Sequence, residues 1–160
     1  MLDNVQQGIQ HTPNLWLDSG TADNHMSLVL ACDSRNESLA RTAVAAFIAQ
    51  LDPSMSLVSD VKTAVSEAVT NAIIHGYHCQ EAPGTVTLNC SYLDRELYIE
   101  VKDTGIGIYD VEEAMTPLYT TKPDQDRSGL GFTVMESFMD SVSVDSRMGE
   151  GTTVRMMKRL

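Results

Sequence analysis

Positive charge is scarce in this chain: 11 Lys and Arg stand against 22 Asp and Glu, a formal net charge of −11. Nucleic acids and anionic membranes are held chiefly by clustered Lys and Arg, so the balance argues against both as direct partners and points to proteins instead. Cysteine is sparse as well. Cys32, Cys79 and Cys90 are odd in number and lack CxxC spacing, which excludes an obvious disulfide framework or zinc site and leaves buried or inert thiols as the expectation. No run approaches the ~18 apolar residues of a membrane span, and no Lys or Arg precedes Arg35 to make a positively charged signal-peptide start. The expected location is therefore the cytoplasm. No charge block or low-complexity repeat interrupts the chain, so bulk disorder is not expected.

What is present suits one ordinary domain. The 160 residues, 42% of them hydrophobic, suffice to bury a core without disulfides or metals. Residues 1–25 mix Gln, Asn, Asp, Gly and Pro without a sustained period and read as an N-terminal extension, either a tag or a flexible leader, ahead of a domain over residues 26–160. Residues 26–32 form an apolar run that predicts a strand, and Ser34 or Asn36 is placed to cap a helix reaching about Leu51, where Asp52-Pro53 ends it. A second helix is expected over residues 57–76, with Val61, Ala64, Val65, Ala68, Val69 and Ala72 at the spacing of one buried stripe.

Two β-rich segments, residues 85–93 and 96–102, meet at Asp94-Arg95 as a hairpin. Short helices are expected over 109–115 and 129–140, the latter with Phe132, Met135 and Met139 inward, and closing strands over 142–145 and 152–157. The expected fold is an α/β (α+β) sandwich: a mixed, mostly antiparallel sheet covered on one face by helices.

Four features can carry chemistry. Glu67 and Asn71, four apart on the second helix, project from one side near the edge of its apolar stripe. A carboxylate there can accept a proton from a hydroxyl or water, and an amide oxygen can coordinate magnesium on nucleotide phosphates; such a pair can equally be two solvated side chains. DTGIGI, residues 103–108, follows a strand; Gly105 and Gly107 allow close ligand approach, and Asp103 can accept from an exocyclic amine such as that of adenine. A simple tight turn is the alternative. SGLGF, residues 128–132, places Gly129 and Gly131 where a helix N-terminus favours phosphate, although neither a Walker loop nor a dinucleotide fingerprint is present and a plain glycine-rich helix entry fits too. Between them TTKPDQDRSG supplies Lys122 and Arg127 on a polar segment that can act as a lid over phosphates, or as an ordinary surface loop. His75 lacks a second ligand at useful spacing and reads as structural, and the nine methionines read as core filler.

In that order SEAVTNAIIHGYH, DTGIGI, TTKP, RSGLGF and GTTVR resemble the N box, G1 box, lid, G2 box and last strand of the GHKL ATPases, whose fold is the Bergerat ATP-binding fold. More narrowly, residues 26–160 resemble the anti-sigma-F serine kinases of endospore-forming bacteria, with NESLARTAVAAFIAQLDPS similar to that family's first helix. The resemblance implies Glu67 as catalytic carboxylate and Asn71 as magnesium ligand, with Asp103 and Thr152 around adenine. Gly105, Gly107, Arg127, Ser128, Gly129, Leu130 and Gly131 are implied around the nucleotide, so ATP or ADP and Mg2+ are the implied cofactors. It implies Glu37 and Arg41 as partner-binding residues, which the sequence alone would read as an exposed i,i+4 ion pair. It further implies a homodimer that holds a sporulation sigma factor and phosphorylates a serine of its anti-anti-sigma antagonist.

Two other functions fit the same residues. A histidine-kinase catalytic domain would need a dimerisation helix pair with a phosphoacceptor histidine, for which the space before Glu67 is expected to be too short. A nucleotide-gated binding module would use ATP only to order the lid and select a protein.

Overall fold

The computed structural model describes residues 20–76, 84–117 and 130–160. Strand β1, Asn24–Ala31, begins two residues before the expected start at Met26. Its extra length is held by side chains as well as by pairing: Asn24 faces Tyr92 across the ladder, and its amide donates to Gln50 Oε1 at 2.9 Å. Along β1 the alternation is strict, so Met26, Leu28 and Leu30 turn to the core while Ser27 and Val29 turn away.

Helix α1 spans Asn36–Ile48 and continues as a 3₁₀ turn, Ala49–Leu51, until Asp52 at φ 49° stops it ahead of Pro53. Neither expected cap performs that task. Asp33 Oδ1 accepts the Arg35 N–H at 2.9 Å, and the Asn36 amide instead donates back to the Ala31 carbonyl at 2.8 Å, tying the helix start to the end of β1. Helix α2, Met55–Asn71, starts earlier than expected because the Ser54 hydroxyl accepts the Leu57 N–H at 3.2 Å. Its far end departs from the expected continuous α-helix: Ala72–Gly76 is a π-helical turn.

The hairpin is β2, Thr85–Leu93, and β3, Glu96–Asp103, with Asp94 in the left-handed region at φ 51°. Helix α3 is the single turn Val111–Ala114, capped by Asp110, and α4 is Gly131–Phe138, shorter than expected. Strands β4, Ser141–Arg147, and β5, Gly151–Arg159, close the chain.

The sheet order is β1-β2-β3-β5-β4, and all four pairings among the described residues are antiparallel, so no parallel pair justifies the word mixed. One face carries the core. Val86, Leu88, Leu97, Ile99, Val101 and Met156 from the sheet meet Val44 and Ile48 of α1, the Val61, Ala64, Val65, Ala68 and Val69 stripe of α2, and Met135 of α4. Each large apolar side chain buried there stabilises the fold by about 1.5–3 kcal/mol. Phe47 packs against Tyr92 in a tilted ring contact, centroids 5.4 Å apart, and ties α1 to β2.

The opposite face is polar in its centre. Ser27, Asn89, Glu100 and Arg155 stand directly opposite one another on four adjacent strands. Ser27 donates to Asn89 at 2.6 Å, Asn89 to Glu100 at 3.1 Å, and Arg155 to Glu100 at 2.9 Å, so both oxygens of the buried Glu100 carboxylate are hydrogen-bonded and Arg155 balances its charge. Among the described residues that pattern leaves the packed helices on the apolar side of the sheet, as expected. No helix of the described residues is long and apolar enough to cross a membrane.

Candidate nucleotide site

The site is a continuous wall running from α2 through its π turn to the end of β3. Asp103 is the last residue of β3 and is buried. Its Oδ1 accepts the Gly105 N–H at 2.9 Å and the Thr152 N–H at 3.3 Å. Burial pushes its carboxyl above the ordinary carboxylate value, and those two backbone donors pull it partly back. The π turn ends against it: a Cβ on Gly76 would sit 2.9 Å from the Asp103 carboxyl carbon.

The loop after Asp103 is held from three sides. The Ile106 N–H donates to Gly76 O at 2.8 Å, the Gly149 N–H to Ile106 O at 2.8 Å, and the Ile108 N–H to Ser146 Oγ at 2.8 Å. Ser146 also lies 3.0 Å from Gly151 O and 2.8 Å from Thr152 Oγ1, so one hydroxyl fastens the loop to both closing strands. Gly105 is required because a Cβ there would run into the Gly76 carbonyl. Gly107, at φ +78°, faces the Arg147 carbonyl with equally little room. A free tight turn, the bland reading of DTGIGI, has no need of this many anchors.

At the other end of the wall stand Glu67 and Asn71. A Cβ on Gly131, the first residue of α4, would lie 3.1 Å from Asn71 Nδ2 and 3.2 Å from Glu67 Oε2. The two side chains therefore converge on the N-terminus of α4, with only a hydrogen in between. Leu130 precedes it at φ −108°, its carbonyl accepting the Val134 N–H at 2.8 Å. Lys122, Arg127, Ser128 and Gly129 lie outside the described residues, as does Cys79. Of the remaining thiols, Cys90 is buried and pushed well up by desolvation. Cys32 is raised by burial first and then by Asp103 and Asp33, and it donates to the Ile73 carbonyl.

Glu37 and Arg41 form the expected i,i+4 pair at 3.4 Å, but Glu37 is only 31% exposed and turns inward. Its Oε1 accepts from Ser66 at 2.6 Å and its Oε2 from Thr70 at 3.0 Å, both on α2. Sequence reasoning missed this tie, although Ser66 and Thr70 are themselves four apart, one residue before Glu67 and Asn71. Among the described residues no cluster of three or more His, Cys, Asp or Glu could hold a metal ion. The one expected metal ligand, Asn71, carries an amide oxygen, a donor that suits magnesium rather than zinc.

Residues 30–158 match the histidine kinase-like ATPase domain. The chain belongs to the histidine kinase-like ATPase family. Within that family its relatives include the anti-sigma F factor of Clostridium novyi (strain NT), 56% identical over 137 residues, which cover 86% of this chain and 95% of the relative. The anti-sigma F factor of Bacillus subtilis (strain 168) is 53% identical over 137 residues, covering 86% of this chain and 93% of that one. Among solved structures, the RsbU and RsbW domains of a Mycobacterium tuberculosis protein share the fold, with a TM-score of 0.62 at 18% identity over 86% of this chain and 32% of that one. Membership of this ATPase family implies nucleotide binding by the chain.

Proposed function

We propose that the chain is an anti-sigma factor and protein serine kinase, acting as a cytoplasmic homodimer that holds a sporulation sigma factor and phosphorylates its anti-anti-sigma antagonist. The observation that carries the kinase reading is the convergence of Glu67 and Asn71 on Gly131, where a Cβ would fill the space between a carboxylate, an amide and a helix N-terminus. Kinship with anti-sigma F factors supports the choice of partners.

In this reading Asp103 accepts a hydrogen bond from the adenine amine, Thr152 lies beside it, and the glycines at 105 and 107 let the base approach backbone. Magnesium, when bound, would neutralise charge on the phosphates. Asn71 contributes an oxygen to holding it. Gly129, Leu130 and Gly131 present backbone to the phosphates, and Lys122, Arg127 and Ser128 close over them. Glu67 takes the proton as the acceptor serine oxygen bonds to the γ-phosphorus; the bond to the β,γ-bridging oxygen breaks and ADP leaves with its electron pair. The net charge of −11 keeps nucleic acid from competing as a partner.

The test is transfer from γ-labelled ATP to the purified antagonist, with the modified residue identified. Serine label is expected. Glu67→Gln should lose about 10²–10⁴-fold in rate while its ATP affinity stays within a few-fold. ATP-dependent capture of the sigma factor with no phosphoprotein would replace the kinase with a binding module, and acid-labile, base-stable phosphate would replace it with a histidine kinase.

A further inference from the structure

The helices of this protein offer a comparison among their own hydroxyls. Thr42, Thr63 and Ser137 each turn back to the carbonyl four residues earlier, at 2.8, 2.9 and 2.8 Å, which is the ordinary fate of such a side chain inside a helix. Ser66 and Thr70 do not. Both reach across to α1 and share one carboxylate, Glu37, through separate oxygens. That carboxylate sits in the first turn of α1, where the helix dipole favours its charge, and Arg41 supports it from the next turn.

Ser66 and Thr70 each immediately precede a member of the Glu67 and Asn71 row, about 100° away around the same helix. Fixing one row fixes the other. Two hydroxyls one turn apart, clamped to a single anionic group on a neighbouring helix, set both the rotation and the axial position of α2 at the level of its phosphate end. Catalytic and metal-holding side chains need placement within about 0.5 Å and 10–20°. Without the clamp, both hydroxyls are free to bond back to the carbonyls four residues earlier, an arrangement that bends helices.

We infer that Glu37 is a positioning residue for the nucleotide site, acting through Ser66 and Thr70 to hold Glu67 and Asn71 in register with α4. This rests on the reading of Asn71 as the magnesium-holding residue. It also gives Glu37 a task inside the protein that is separate from contact with any partner.

The experiment uses the full chain with no protein partner, so that loss of a docking contact has no effect. ATP affinity is measured with magnesium and again in EDTA. Glu37→Ala should weaken affinity in magnesium by about tenfold, the scale of losing a group that orients a metal ligand, and leave affinity in EDTA within about twofold. Glu37→Gln should recover much of the loss, since an amide can accept from one hydroxyl and donate to the other. Joining Ser66→Ala and Thr70→Val to Glu37→Ala should add nothing further. Equal losses with and without magnesium would reduce Glu37 to a general support of the fold, and no loss in either would overturn the inference. A wild type indifferent to magnesium would remove Asn71 from its role. The inference is then decided by a crystal structure of Glu37→Ala, in which an unmoved Glu67 and Asn71 would sink it.

Discussion

The two ends of the nucleotide wall are built differently. At the Asp103 end the loop is anchored through its backbone, to Gly76, to Ser146 and to Gly149, and two of its glycines have no space for a methyl group. At the Glu67 end the positions depend on side chains carried by a helix, and a Cβ on Gly131 would come within 3.1–3.2 Å of their ends. A backbone lattice is rigid before ligand arrives and needs little reorganisation to bind. A row of side chains on a helix can be shifted by whatever touches that helix. Under the proposed function, base recognition is therefore built in, and the phosphate chemistry is adjustable.

Breaking the rigid end should give the largest effect. Gly105→Ala drives a Cβ into the Gly76 carbonyl, and backbone on both sides leaves nothing soft to yield. Overpacking of this kind costs about 3 kcal/mol or more, a fall of roughly 6–12 °C in Tm for a chain of this size, and nucleotide binding should disappear. Gly131→Ala meets only the ends of two side chains, so its Tm should change far less while its magnesium-dependent ATP affinity falls. Similar Tm losses for the two variants would erase the contrast.

Asp103 tests the same contrast through pH. Its carboxyl is raised above its ordinary 3.8, so the folded chain holds this proton more tightly than the unfolded chain. Stability from this group is thus present at low pH and is lost as pH rises through the folded value, leaving a standing cost at neutral pH. Asp103→Asn removes that charge and keeps an oxygen for the Gly105 and Thr152 donors. Relative to wild type, its urea midpoint should climb as pH rises from acid and then level off. Its ATP affinity should fall roughly 10- to 100-fold, the loss of a hydrogen bond to a charged acceptor. A variant that lost affinity and gained no stability would mean that burial of Asp103 is not strained.

Much of this was legible in sequence because it is periodic or local. The apolar stripe of α2, which Ala72 extends into the π turn, and the Asp94-Arg95 hairpin are patterns of neighbours, and the structure places both where spacing predicts them. The ordered glycine boxes gave the wall, since a backbone that must approach closely has to discard its side chains. Through-space pairings were not legible. Nothing local says that Asn36 turns back to Ala31 instead of capping, or that Ser27, Asn89, Glu100 and Arg155 line up across four strands. Glu37 and Arg41 were read as a surface pair because i,i+4 spacing is visible in one helix, whereas a sequence separation of 29 between Glu37 and Ser66 hides the stronger contact. The π turn at Ala72–Gly76 was hidden for a related reason: it brings Gly76 against Asp103 and Gly105, neighbours that exist only after folding.

The smallest effect is expected at the far end of α2, and it separates the two ways of holding a helix. Ser54 caps that helix at 3.2 Å from the Leu57 N–H, about 20 Å along the axis from Glu67 at 1.5 Å per residue. Ser54→Ala should cost about 1 kcal/mol, or roughly 2–4 °C in Tm. A cap stabilises the helix without fixing its rotation, whereas the hydroxyl clamp on Glu37 does fix it. Ser54→Ala should therefore lower Tm while leaving unchanged the ratio of ATP affinities with and without magnesium, the ratio that Glu37→Ala is expected to shift. If that ratio shifted with the cap, the placement of Asn71 would be a property of the whole helix, and the adjustable end of the site would have no local control.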